Sequence, residues 1–242
     1  MSKLNIGLIG YGKMGKTIEK LAINKNHEII LRISSKDALQ LSIPNLKALD
    51  VAIEFSKPES AIENLRILAN NKIPTISGTT GWLHAYDEIK NQFEENHTPF
   101  LYASNFSIGV NVLFEINQKL AKLMNRFPEY DVELMESHHI EKKDAPSGTA
   151  ITISEQIINN IERKNTWENS KTTDPTVLDI ESIREADVKG YHEINYKSTI
   201  DKISLSHEAY SREGFAMGAL ISAEWIVGKK GIFQFSDVMK SL

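Results

Sequence analysis

The chain has 242 residues, of which 41% are hydrophobic and 25% charged, with a formal net charge of -4 and no cysteine. That length buries a real core in one large or two modest domains, and the missing cysteines exclude disulfides, thiolate metal sites and a cysteine nucleophile. No apolar run reaches the roughly 20 residues that cross a bilayer, and no long basic run offers nucleic acid a footprint.

The opening "MSKLNIGLIGYG" passes from apolar residues straight into a glycine turn with no small-residue cleavage site, which predicts a buried first strand of a cytoplasmic chain rather than a signal peptide. Through the first hundred residues, "KLNIGLIG", "EIILRIS", "DVAIEF", "KIPTIS" and "PFLYAS" read as strands. "KMGKTIEKLAINKN", "PESAIENLRILANN" and Leu83 to Asn96 read as the helices between them. Strand and helix in alternation predict a parallel sheet covered on both faces. In the second of these helices Ile62, Leu65, Ile67, Leu68 and Ala69 give the one-sided apolar face of a crossover.

After "ASNFSIGVN" the texture changes. A helix over Asn111 to Asn125 is followed by the alternating strand "YDVELMESHH", then "HHIEKKDAPSGT", then a helix from Ala150 to about Arg163 with Ile153, Ile157 and Ile161 on one face. "TVLDIESIRE", "GYHEINYKS" and "KISLSHEAYS" alternate as antiparallel strands would. The polar stretch from Lys164 to Thr176, with Pro175, predicts an exposed loop. "GFAMGALISAEWIVG" returns to a helix. The fold class expected is α/β: a Rossmann-type, doubly wound parallel sheet over residues 1–107, completed by 213–242, with an inserted α+β domain over 108–212 for substrate binding and oligomerisation.

Gly10, Gly12 and Gly15 form G-x-G-x-x-G between the first strand and a helix. In that context glycines permit a tight turn and close approach of backbone to a pyrophosphate, whose charge rests on the helix N-terminus. The second strand ends in Ser34, Ser35 and Lys36 where an acid usually meets the adenosine ribose. Hydroxyls and a lysine admit a 2'-phosphate, while Asp37 stands near enough to serve the ribose, so the pattern leans slightly to NADPH and leaves NADH open. Phe55, Ser56 and Lys57, and Gly78, Thr79 and Thr80, follow later strands and border the same crevice, because ligands of such sheets sit outside the carboxyl ends of the strands.

His138 and His139 are adjacent, so on a strand they face opposite ways and cannot easily share a metal ion; no metal is expected. Asp144 and Pro146 precede a Ser-Gly-Thr helix start suited to holding a carboxylate. A histidine and a lysine beside that start suit a small anionic substrate that gains a proton while a hydride arrives.

"GYGKMG", "SGTTGW", "ASNFSIGVN" and above all "ESHHIEKKDAPSGTA", with "GYHE" and "SREGFAMGAL", resemble the 4-hydroxy-tetrahydrodipicolinate (dihydrodipicolinate) reductase family over nearly the whole chain. The resemblance implies reduction of a cyclic imine dicarboxylate by NADPH or NADH in the diaminopimelate route to lysine, by a homotetramer assembled through the second domain. Carried over by position, the catalytic acid/base histidine is His138 and the proton donor Lys142. His139, Gly148 and Thr149 bind substrate. Gly10, Tyr11, Gly12, Lys13 and Met14, then Gly78, Thr79 and Thr80, then Ala103, Ser104, Asn105 and Phe106 bind cofactor, with Ser34 and Phe55 beside them. Arg212 faces cofactor or substrate. The chain departs from family members in being shorter than many, in a glycine turn one residue shorter than some, in Lys57 for arginine and in Ser34 for the acid, which leaves the choice of cofactor open. The rival readings are another two-domain NAD(P)-dependent dehydrogenase of amino-acid metabolism, which gives no reason for the Lys142 to Thr149 spacing, and a nucleotide-sensing regulator, which lacks a basic helix or added domain.

Overall fold

The computed structural model describes residues 2–34 and 46–242. The chain divides into two compact units, Met1–Ile108 with Glu213–Leu242, and Gly109–Arg212. In chain order the first unit opens with β1 (Asn5–Ile9), α1 (Lys13–Asn24), β2 (Glu28–Ile33), β3 (Val51–Glu54), α2 (Pro58–Asn70), β4 (Thr75–Ser77), a 3-10 turn (Leu83–Ala85), α3 (Tyr86–Glu95) and β5 (Phe100–Tyr102). Next come α4 (Ile108–Met124), β6 (Asp131–His138), α5 (Gly148–Ile158), β7 (Thr166–Glu168), β8 (Val177–Arg184), β9 (Tyr191–Lys197) and β10 (Lys202–Glu208). The chain then returns to the first unit with α6 (Glu213–Ile226), β11 (Ile232–Gln234) and α7 (Phe235–Met239).

The first unit is a six-stranded sheet in the order β11-β5-β4-β3-β1-β2, with every pairing parallel. Its central strands β1, β3 and β4 are short runs buried on both faces, as parallel strands between helix layers must be, whereas the edge strand β2 alternates buried and exposed residues. On one side Ile6, Leu8 and Ile53 pack with Ile18 and Ala22 of α1 and Ala219, Leu220 and Ala223 of α6. On the other, Ile9, Leu31 and Ala52 pack with Leu65 and Leu68 of α2 and Ile89 and Phe93 of α3. Register aligns Ile33, Ile9, Glu54, Ser77 and Tyr102 as neighbours, so the loops after five strands leave the sheet along one carboxyl edge. The Rossmann-type expectation for this sheet is met.

The second unit is a five-stranded sheet, β10-β9-β6-β8-β7. β9 and β10 are antiparallel to their neighbours, but β8 runs parallel to both β6 and β7, against the expectation of antiparallel strands throughout. The reason is connectivity: α5 carries the chain back so that β7 enters in the direction of β6, and residues 169–176 return it once more before β8, whereas alternation of side chains reports one-sided burial and not direction. The stretch from Lys164 to Thr176 also departs from a plain loop. It contains β7, Trp167 packs against the core, and Lys164 is buried with Nζ donating to Val177 O at 2.8 Å and lying 2.8 Å from Asp131 Oδ1.

The core of the second unit lies on the α4/α5 face, where Val132 and Leu134 of β6, Leu178 and Ile180 of β8, and Ile194 and Tyr196 of β9 meet Leu113, Ala121, Ile153 and Ile157. The same inward-facing rows continue along the strands into polar residues: Glu136 and His138 on β6, Ser182 and Arg184 on β8, His192 on β9 and His207 on β10. One end of this face is therefore oil, and the other end is a row of groups that carry charge or protons.

Candidate active site

At the carboxyl edge of the first sheet, Gly10 turns the chain with φ +102°, and Gly10 N and Tyr11 N both donate to Ile33 O at 2.8 Å. A Cβ on Gly10 would stand 2.0 Å from Phe55 O, so only glycine allows β3 to come this close. Gly12, the N-cap of α1, has no side-chain cap, and nothing lies within 4 Å of where its Cβ would be. The α1 amides at this open turn are the arrangement that receives a pyrophosphate. Lys13 is exposed and Met14 half-buried against the core.

Phe55 roofs Gly78, whose Cβ would lie 2.3 Å from that ring, and packs on Phe106 with ring centroids 5.6 Å apart. Thr79 is buried, while Thr80 and Ser104 are exposed beside half-buried Asn105 and buried Ala103. Asn105 Oδ1 accepts from Ser107 N at 2.8 Å. Beneath these loops lies the fully buried Glu54, which the sequence reading did not single out. It accepts from Ser77 Oγ at 2.7 Å, Thr79 Oγ1 at 2.8 Å, Ser56 N at 2.9 Å and Ser56 Oγ, tying the loops after β3 and β4 to one carboxylate. Its only sequence signal is an acid closing an otherwise apolar strand, "DVAIE".

At the end of β2, Arg32 Nε donates to Glu19 Oε1 at 2.9 Å, the Tyr11 hydroxyl bonds the same carboxylate, and the guanidinium lies 6.0 Å from the Tyr11 ring centroid. Ser34 follows directly; Ser35, Lys36 and Asp37 lie outside the described residues. The glycine turn, the small side chains along the edge and the uncapped helix start suit a nicotinamide dinucleotide.

In the second unit, β6 ends in His138 and α5 begins at Gly148, so the segment between them bends around the polar end of the sheet face. Ser147 caps α5: its Oγ accepts from Ala150 N at 3.2 Å and contacts His192 Nε2 at 3.2 Å. Gly148 and Thr149 form the first turn, where amides and the helix dipole favour a carboxylate. Glu136 is fully buried and accepts from Ser147 N at 3.1 and 3.2 Å and from Ser182 Oγ at 2.8 Å. Burial alone would raise its carboxyl, but the Ser147 and Ser182 hydrogen bonds and the neighbouring His138 outweigh that and hold it below its ordinary value.

His138 Nδ1 stands 3.5 Å from Glu136 Oε2, and the His138 and His192 rings meet edge to face with centroids 5.1 Å apart. Burial depresses His138 to about 4, with Glu136 opposing and Lys142 and Arg184 reinforcing the shift. Burial, then the His138 charge, depresses His192 to about 3. Both imidazoles are thus neutral at neutral pH. Lys142 Nζ bonds both oxygens of Asp144, at 2.8 and 2.7 Å. Burial would raise Asp144, and the Lys142 hydrogen bond and charge more than offset it. His139 is half-buried, and its Nδ1 has no hydrogen-bond partner among the described residues. The segment thus brings His138, Lys142, Ser147 and the Gly148-Thr149 turn to one end of one sheet.

Two family models match the chain: dihydrodipicolinate reductase, N-terminus, matches residues 4–106, and dihydrodipicolinate reductase, C-terminus, matches residues 109–239, which takes in the second unit and most of the segment that returns to the first. The chain belongs to the dihydrodipicolinate reductase family. A 4-hydroxy-tetrahydrodipicolinate reductase of Christiangramia forsetii is 43% identical over 239 residues, 99% of each chain, and one of Rickettsia bellii is 35% identical over 243 residues, 99% of this chain and 96% of the relative. The fold is shared with the dipicolinate-bound dihydrodipicolinate reductase of Paenisporosarcina sp. TG-14, at a TM-score of 0.75 and 24% identity over 96% of this chain and 98% of that one. The chain is thus an oxidoreductase of this family.

In this reductase family member the sequence reading missed Glu136, His192, Ser182 and Arg184, each of which reads as an ordinary polar position of a strand. Glu136, His138 and His192 are also the one group of three among the described residues whose ligand atoms, all within 4.8 Å of one another, could hold a metal ion. The Glu136 carboxylate is already engaged by Ser147, Ser182 and, at 3.4 Å, the Arg184 guanidinium, a cation where an ion would need a bare ligand. Arg212 is the last residue of the second unit. Among the described residues no helix is long and apolar enough to cross a membrane.

Proposed function

We propose that the chain carries out the reaction its curated relatives are named for, the NAD(P)H-dependent reduction of 4-hydroxy-tetrahydrodipicolinate to tetrahydrodipicolinate in the diaminopimelate route to lysine. The observation that carries this reading is the convergence of His138, Lys142 and the Ser147-Gly148-Thr149 helix start at the polar end of the second sheet. In the net reaction the ring loses its hydroxyl as water, gains a hydride at carbon and takes up one proton. The bound nicotinamide supplies the hydride. Gly148 and Thr149 hold one carboxylate at the start of α5, and the half-buried His139 gives a second polar contact. Lys142 gives the proton to the ring, because His138, neutral at the working pH, is poised to accept a proton and not to give one. A dicarboxylate arriving beside Lys142 competes with Asp144 for its ammonium, which turns an internal ion pair into a substrate contact.

The cofactor residues are Gly10, Tyr11, Gly12, Lys13, Met14, Ser34, Phe55, Gly78, Thr79, Thr80, Ala103, Ser104, Asn105 and Phe106, serving NADPH or NADH. The enzyme works in the cytoplasm as a homotetramer assembled through the second unit. The test is oxidation of NADPH and of NADH with the freshly made product of the preceding synthase. Substrate-dependent loss of absorbance, inhibited by pyridine-2,6-dicarboxylate, supports the reading, and no loss with either nucleotide overturns it.

A further inference from the structure

The segment from His139 to Ser147 carries both the proton donor and the approach to the carboxylate cradle, and its backbone is held from one place. Arg184, the register partner of His138 on the parallel strand β8, donates from Nε to Lys142 O at 3.3 Å and from Nη2 to Asp144 O at 2.5 Å, while Nη1 donates to Ile183 O at 2.8 Å. Its Nη2 also lies 3.4 Å from Oε1 of Glu136, whose two oxygens receive Ser147 N at the far end of the same segment. The Lys142 end and the Ser147 end are thus fastened to two adjacent strands through one guanidinium and one carboxylate, and the Glu185 N to His138 O bond at 2.8 Å locks the strands at that point.

We propose that Arg184, anchored on the buried Glu136, is the positioning residue that sets Lys142 at a fixed distance from the Gly148-Thr149 cradle. Neither Arg184 nor Glu136 touches substrate in this assignment, which rests on the proposed roles of Lys142, Gly148 and Thr149. The guanidinium is needed for its geometry: one rigid fork serves two carbonyls of the segment and a carboxylate, and a lysine ammonium on a flexible stem cannot hold all three at once. A donor displaced by about 1 Å loses on the order of a hundredfold in rate. The effect therefore falls on turnover and on the dicarboxylate and spares the nucleotide, which binds to the other unit's loops.

The experiment is steady-state kinetics on the full-length enzyme with Arg184→Lys, Arg184→Ala and Glu136→Gln, beside Lys142→Ala. Arg184→Lys keeps the charge and the apolar stem, so it folds and is the decisive variant. Expected are a kcat lowered about 10-fold or more, a raised KM for the dicarboxylate and an unchanged KM for NADPH, with Arg184→Ala losing more. Added guanidinium restores part of the Arg184→Ala turnover and none of the Lys142→Ala turnover, which a loss of packing would not produce. Wild-type kcat and dicarboxylate KM in Arg184→Lys, or parallel loss of all three parameters with no guanidinium rescue in Arg184→Ala, overturns the proposal. If Lys142→Ala turns over normally, the assignment of the site itself has failed. If Lys142→Ala is inactive while the Arg184 variants behave as wild type, only the positioning role has failed.

Discussion

On the proposed roles of Lys142 and His138 in proton transfer, Lys142→Ala and His138→Ala should lower kcat by at least about 100-fold, within the range for a lost general acid or base. Fluorescence titration with NADPH should give affinities close to wild type, and a matching loss of affinity would argue against these roles. A second consequence concerns pH. His138 and His192 have folded values of about 4 and about 3 against an ordinary 6.5. As pH falls below 6.5 the unfolded chain therefore binds protons that the folded chain refuses, and stability drops through the window down to about 4 and then 3. Glu136 and Asp144, both held low, add to that loss at its acid end, while Lys142, Arg184 and His207 are the other charged or titratable neighbours. Urea midpoints should fall between about pH 7 and about pH 5, and fall less in His192→Gln; an equal fall in both would show that His192 is not a source of the dependence. At the cofactor end, Ser34→Asp places a carboxylate where a 2'-phosphate would lie, so KM should rise for NADPH much more than for NADH. Unchanged selectivity would remove Ser34 from the cofactor site.

The start of α5 combines a helix cap with part of the site, because Ser147 Oγ takes Ala150 N while its backbone N–H goes to Glu136. Ser147→Ala should cost about 1 kcal/mol of stability, as lost N-caps do, and raise the KM for the dicarboxylate; urea unfolding and kinetics measure the two separately. This helix start was legible in the sequence because "DAPSGTA" places turn residues and a cap at consecutive positions. The glycine turn was legible for the same reason, since G-x-G-x-x-G acquires meaning only between a strand and a helix. Glu54, Glu136, Ser182, Arg184 and His192 were not legible. Each reads as one polar position in its strand, Ser182 and Arg184 sharing β8, and only lateral register brings Ser182, Glu136, His192 and His207 into a row. The direction of β8 escaped the sequence in the same way, because period-two burial is identical in parallel and antiparallel strands.

At the scale of the whole chain, the assembly proposed through the second unit should give a scattering mass four times the 27.3 kDa of one chain, independent of concentration across the assay range. A single-chain mass would refute it. The lengthwise change of the second sheet's helix-covered face from apolar to polar has a further effect. Core residues and residues of the proposed site there are successive inward positions on the same strands, so a substitution at one changes the surroundings of the next. Buried ion pairs are often neutral or costly relative to apolar groups of similar volume. Here, however, Glu136 and Arg184 also serve Ser147 N, the Ser182 hydroxyl and the Lys142 and Asp144 carbonyls, so converting Glu136, Arg184 and His192 together to leucine, methionine and phenylalanine should lower the melting temperature as well as erase turnover. Stability and the proposed catalysis in this protein thus depend on the same few inward positions of one sheet face, and a change that loosens the first there is expected to reduce the second.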